Sequence, residues 1–144
     1  MALEDKQLDP NIPVDGAVAA AIAQRLEGGL LSCQAALELA AEHGWPPAVV
    51  GATADAMRIR LTACQLGLFG YPGHAKGWEA AGVAATPAPA GLDDALRAAR
   101  NQEGELTCLG VWGAAQLVGC SRIQAGCVAD RNGIKIRGCQ LGAF

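Results

Sequence analysis

Charge and aromatic residues are both scarce in this chain. Only 17% of its 144 residues are charged and 4% are aromatic, whereas 51% are hydrophobic. Ordinary globular domains carry about 25% charge, so the chain is unusually apolar. The net charge of −3 and pI near 5.3 argue against a generic nucleic-acid coat, which would be basic. Histidine occurs twice, at His43 and His74, far apart and without a paired acid in the sequence. That spacing makes neither a catalytic triad nor a metal site. No two of the six cysteines have the Cys-x₂-Cys spacing that pre-organises zinc or iron–sulfur ligands. The glycines between Leu68 and Gly77 do not follow the strand-Gly-x-Gly-x-x-Gly-helix order of a phosphate loop. The apolar stretch from Ala17 to Ala23 is too short to span a bilayer. No catalytic constellation emerges, so the chain reads as a non-enzyme with no cofactor, no metal and no membrane partner.

What the sequence does contain is a copy of itself. The segment Gly29 to Phe69 recurs without gaps as Gly104 to Phe144, displaced by 75 positions. Gly29 pairs with Gly104, Leu31 with Leu106, Cys33 with Cys108, Ala40 with Ala115 and Gly44 with Gly119. Gly51 then pairs with Gly126, Ala54-Asp55 with Ala129-Asp130, and Ile59 with Ile134. Cys64-Gln65-Leu66-Gly67 pairs with Cys139-Gln140-Leu141-Gly142, and Phe69 with Phe144. The match, 14 identities in 41 positions, runs through helix, turn and strand signals alike, which alanine-rich composition does not explain. The chain is a tandem duplication. Units of roughly 60–70 residues bury only about 60% of their unfolded surface and are marginal alone. Surplus apolar surface is therefore expected to pack unit on unit, or chain on chain in a dimer.

Residues 1–14, with Pro10 and Pro13, read as an N-terminal arm; 15–83 form the first unit, 84–91 a Pro/Ala linker and 92–144 the second unit. The opening Met1-Ala2-Leu3-Glu4-Asp5-Lys6 lacks the basic-then-apolar order of a signal peptide, which predicts a cytoplasmic protein with reduced thiols. Asp15 predicts the cap of a helix running to a stop at Gly28-Gly29. A short strand at Leu30-Leu31-Ser32 precedes a helix from Cys33 to His43, with Ala36, Leu37, Ala40 and Ala41 as its buried stripe. Gly44 ends that helix and Pro46-Pro47 opens a third, carrying Val49, Val50, Thr53 and Met57. Arg58 to Ala63 alternates like a half-buried strand, and Gly70 to Gly77 is a turn-rich loop. In the second unit Asp93 or Asp94 is expected to cap the first helix. Leu106-Thr107 is the short strand, Gly119 the turn and Ser121 the cap of the next helix; Ile134 to Arg137 is the last strand.

The run Ala114-Ala115-Gln116-Leu117-Val118-Gly119-Cys120-Ser121-Arg122-Ile123 combines a small residue where two helices cross, a glycine turn and a serine cap. Ala40, Gly44 and Pro46 stand at the same places in the first unit. With a helix and short strand before it and a strand after it, the pattern resembles the winged helix-turn-helix superfamily. The resemblance implies a mainly α fold with small β wings: two tandem winged-helix-like units related by a pseudo-two-fold axis. It also implies a DNA-binding transcriptional regulator that places the helix after the turn in the major groove of double-stranded DNA. Arg122, Gln124 and Arg131 would lie on the reading helix and Lys135 and Arg137 on the wing. The first unit offers only Arg58 and Arg60, so the second unit would dominate. Residues 92–144 carry five acids and six bases, against nine and five in residues 1–91, which favours the same unit. Six basic side chains would give a salt slope of only about −5. The alternative is a non-enzymatic protein-interaction or assembly module on the same scaffold, possibly thiol- or metal-sensing.

The repeated Cys-Gln-Leu-Gly motif is the least expected feature. If alternation continues, Ile59, Leu61 and Ala63 face the unit's own core, and Cys64, Leu66 and Leu68 face away. Ile134 and Ile136 would likewise face inward, and Cys139 and Leu141 outward. Outward leucines beside cysteines predict an interface, between units or between chains of a homodimer. Cys33, Cys64, Cys108 and Cys139 recur in register, so a symmetric four-thiolate cluster is the sharper alternative to buried thiols. Cys120 and Cys127 have no counterparts in the first unit and read as packing residues, and Gly51 and Gly126 inside helices predict a close helix approach.

Overall fold

The computed structural model describes residues 15–144, so the proposed arm at 1–14 lies outside the described residues. The chain divides into two compact units. Among the described residues, one comprises 15–63 together with Gln140–Phe144, and the other is Cys64–Cys139. The boundary falls at Ala63/Cys64 instead of in the Pro/Ala linker, and the last five residues belong with the first half. The described residues form six helices and one two-stranded parallel sheet, and none of the helices is long and apolar enough to cross a membrane.

In the first unit, the Asp15 carboxylate accepts from the backbone N–H of Ala17 and Val18 and caps α1, Gly16–Gln24. Val18 and Ile22, one turn apart, are its buried residues. The helix stops at Gln24, short of the expected Gly28-Gly29. Those glycines, at φ 58° and 78°, instead turn the chain between Glu27 and Leu30. β1, Leu31–Ser32, leads directly into α2, Cys33–His43, which the Ser32 hydroxyl caps through Ala35 N–H. Gly44 ends it in the left-handed region at φ 70°, and α3 runs from Pro47 to Ala56. The buried stripe of α2 is Cys33, Ala36, Leu39 and Ala40; Leu37 is half-buried and Ala41 exposed, because the core lies closer to the Leu39 side than the alanine spacing suggested. On α3, Val50, Gly51, Thr53 and Ala54 are buried. Only Leu61–Thr62 of the expected six-residue strand forms β2, paired in parallel with β1 through Leu31 and Leu61.

The second unit repeats this plan in register. α5, Cys108–Val118, and α6, Arg122–Arg131, are the copies of α2 and α3, residue for residue. Thr107 and Ser121 cap them, and Gly119 turns between them at φ 84°. Leu106 bridges Ile136 in parallel, where Leu31 pairs with Leu61 in the first copy. α4, Leu92–Ala98, is preceded by Gly91 at its cap position; Asp93 and Asp94 lie in its first turn instead of capping it. Carboxylates there favour the positive end of the helix dipole, and Arg97 holds the Asp93 carboxyl below its usual range through a side-chain hydrogen bond. The buried pair Leu92 and Leu96 matches Val18 and Ile22 at an offset of 74, one less than in the rest of the repeat. The linking turn is therefore one residue longer in the second copy, which is why the ungapped match begins only at Gly29.

The expected wing hairpins do not form among the described residues. Each strand after the helix pair runs parallel to the short strand before it, and then breaks. The break is conformational. Arg58 and Ala63 have φ of 58° and 51°, and the matching Gly133 and Gly138 have 70° and 78°. A side chain in the left-handed region costs about 1–2 kcal/mol. Ala63→Gly is therefore expected to stabilise the protein by about 0.5–1 kcal/mol in urea unfolding, and Gly138→Ala to destabilise it by about 1–2 kcal/mol. Equal small losses from both would contradict the shared backbone geometry.

Candidate functional site

The leucines of both Cys-Gln-Leu-Gly segments are buried, and each lies in the compact unit built by the other repeat. Leu66 is fully buried in a core with Leu92, Leu96, Leu106, Val111 and Val128, and Cys64 joins it there. Leu141, 1% exposed, belongs to the unit of α1–α3. Two glycines make the seats. A Cβ on Gly126 would collide with the Leu66 carbonyl, and a Cβ on Gly51 with the Leu141 carbonyl. The recurring helical glycines thus admit the backbone of a strap, where a close helix–helix approach had been expected. The inward–outward alternation also ends earlier than expected. Ile59 and Leu61 are buried, but Ala63 is exposed at its left-handed turn, Leu68 is only partly buried and Cys139 is half-buried.

The loop after the first strap wraps it. Trp78 Nε1 donates to the Leu66 carbonyl at 2.9 Å, Tyr71 Oη donates to the Cys64 carbonyl, and Gly77 N–H donates to Gly67 O at 2.8 Å. Gly67 itself faces the Trp78 ring and Ile123, so the turn at φ 80° has no room for a side chain. These aromatics were not singled out in the sequence. The signal available was that two of the chain's few aromatic residues stand in a segment otherwise made for turns.

The continuation of that loop lies along α6, the helix expected to read DNA. Gln124 Nε2 reaches the Pro87 carbonyl at 3.5 Å, Arg131 donates to the Thr86 carbonyl at 2.9 Å, and Cys127 Sγ lies 3.8 Å from the Val83 carbonyl. Ala125 to Ala129, five residues in succession, are buried. In a helix, five consecutive buried residues take in every direction around the axis, so the middle of α6 presents no open face. Arg122 stacks over the Trp112 ring at 3.5 Å and donates to Gln65 Oε1 at 2.6 Å. Arg137 pairs with Glu105 at 3.3 Å. Four of the five basic or amide side chains assigned to the second unit's DNA surface are therefore held by the chain itself. Lys135, Arg58 and Arg60 are exposed. On α3 the outward positions are Ala48, Val49 and Ala56, with Ala52 and Asp55 half-buried, a surface of methyl groups around one carboxylate.

The outer faces of α2 and α5 have diverged. On α2, Arg25 binds Glu38 at 2.8 Å and Glu42 at 3.7 Å, and its hydrogen bond lowers the Glu38 carboxyl from its usual range. At the matching places α5 carries Gly113 and Leu117, and Leu109 replaces Gln34. Leu109 is 60% exposed and Leu117 80% exposed. The second unit thus presents an apolar helix face where the first presents a solvated, charged one.

The six cysteines form no disulfide, and the described residues contain no group of three or more His, Cys, Asp or Glu side chains that could hold a metal ion. Cys33, Cys64, Cys108 and Cys127 are buried, and Cys120 and Cys139 half-buried. Burial pushes the Cys64, Cys120 and Cys127 thiols up, and neighbouring Cys139 adds to the effect at Cys64. Such thiols stay protonated at neutral pH, and a protonated thiol is a poor nucleophile and metal ligand.

No family model matches the chain, and no curated protein or solved structure is similar to it.

Proposed function

We propose that the protein is a non-enzymatic interaction module, built on two tandem winged-helix-like units in which an exchanged strap takes the place of the wing. It works in the cytoplasm, where its six thiols remain reduced. The observation that carries this reading is that Ala125 to Ala129 of α6 are all buried, while Gln124, Cys127 and Arg131 contact backbone carbonyls of the 83–87 segment. Base readout in the major groove needs an open helix face with several free donors and acceptors. Here the corresponding donors bind backbone carbonyls, a side-chain amide oxygen and a carboxylate of their own chain. The exposed surface that remains on the second unit is apolar at Leu109 and Leu117, which suits a protein partner.

With Arg122, Arg131 and Arg137 engaged by their own chain, the DNA-regulator reading retains at most three bases for phosphate. Three phosphate contacts give a slope of log K against log salt of only about −3. A titration of duplex DNA at several salt concentrations tests the choice. Binding is expected to be weak, indifferent to sequence and no steeper than that slope. Sequence-selective binding with a slope near −5 or beyond would overturn the proposal, since it would require α6 to leave its cover and enlist Arg122, Arg131 and Arg137.

A further inference from the structure

We infer that the outer face of α5 is a self-association site, where a second copy of this chain docks by crossing its own α5 antiparallel at Gly113. This deepens the interaction-module reading and rests on it. Leu109, Gly113 and Leu117 stand at i, i+4 and i+8, one continuous ridge of the kind that packs into the matching groove of a facing helix. The ridge has a leucine on each side of a central gap. Rotated about a two-fold axis through Gly113, it meets itself: Leu109 of one copy meets Leu117 of the other, and the two glycines face each other. A two-fold interface requires a patch that is its own complement, and a partner of unrelated sequence would impose no such spacing.

Two further observations favour a second copy. A Cβ on Gly113 would meet nothing within 4 Å, so no contact among the described residues accounts for a glycine at mid-helix. Glycine there costs about 1 kcal/mol against alanine, a cost that a close backbone approach from outside would justify. The ridge of Leu109, Gly113 and Leu117 itself also carries no charge. In a two-fold contact like charges tend to be brought together near the axis, and the Glu38 and Glu42 of α2 would oppose that arrangement. An 11-residue helix is about 16 Å long, so the contact falls at the small end of specific interfaces, below about 800 Å² per partner. The dimer is accordingly weak and concentration-dependent, and, being apolar, little weakened by salt.

Sedimentation equilibrium from low to several hundred micromolar protein tests this. The wild type is expected to pass from monomer to dimer. Leu109→Glu and Leu117→Lys alone are each expected to raise the dissociation constant at least about tenfold, and mixing the two restores association by pairing glutamate with lysine. Leu30→Glu, at an exposed leucine of the first unit, leaves the dissociation constant unchanged. Circular dichroism keeps loss of fold apart from loss of association. A wild type that stays monomeric, single variants that dimerise like wild type, or a mixture that stays monomeric would each overturn the antiparallel crossing. A monomeric protein that also ignores DNA removes only this inference, whereas steep salt-dependent DNA binding removes the interaction-module reading itself.

Discussion

Gly126→Ala will destabilise the protein by about 2–3 kcal/mol, and Gly51→Ala by a similar amount. At an exposed helical site the same substitution gains about 1 kcal/mol of helix propensity. Here that gain is outweighed, because the added methyl would overlap the carbonyl of Leu66 or Leu141, and backbone cannot rotate away as a side-chain tip can. For a chain of this length the loss lowers the melting temperature by roughly 5–10 °C. Gly113→Ala supplies the control inside the same molecule. Its new methyl meets open space, so at concentrations where the protein is monomeric it should raise stability by about 0.5–1 kcal/mol. Thermal and urea unfolding of the three variants should give two losses and one gain. Three gains would mean that the straps do not sit against the glycines.

Leu66→Ala and Leu141→Ala carry the larger expected effect, about 3–4 kcal/mol each. Both leucines are buried to within 1%, and removing such side chains forfeits transfer free energy and leaves a cavity. The distribution of the damage matters more than its size. Leu141 is encoded in the second repeat but completes the unit of α1–α3, and Leu66 is encoded in the first but fills the core around α4–α6. Each substitution should therefore loosen the repeat to which its sequence does not belong.

Much of the local structure was legible in the sequence. The bounds of α2, the start of α3, the caps at Asp15 and Ser121, and the turns at Gly44 and Gly119 follow from side-chain chemistry acting over three or four residues. The burial of Leu66 and Leu141 was legible too, because a leucine that recurs outside the strand alternation must be covered by something. What covers it was not. Nothing in local periodicity tells Leu141 to choose the glycine of α3 over that of α6, because the two seats are copies of one another. The direction of strand pairing was hidden for a similar reason, since alternation records which face is buried but not which way the neighbour runs. The cover over α6 depends on backbone carbonyls of Val83, Thr86 and Pro87. Every residue has a carbonyl, so the sequence carries no mark of which ones will accept. Gly126 and Cys127 were the available hint: small residues on the outer side of a reading helix suit a covered surface better than a groove.

Hydrogen exchange of the Leu141→Ala variant, resolved by residue and compared with wild type, tests the exchange of straps most directly. The amides of α1, α2 and α3 are expected to lose protection while those of α4, α5 and α6 keep most of theirs. Protection lost in α5 and α6, with α1 to α3 unchanged, would show that each strap serves its own repeat and would contradict the account.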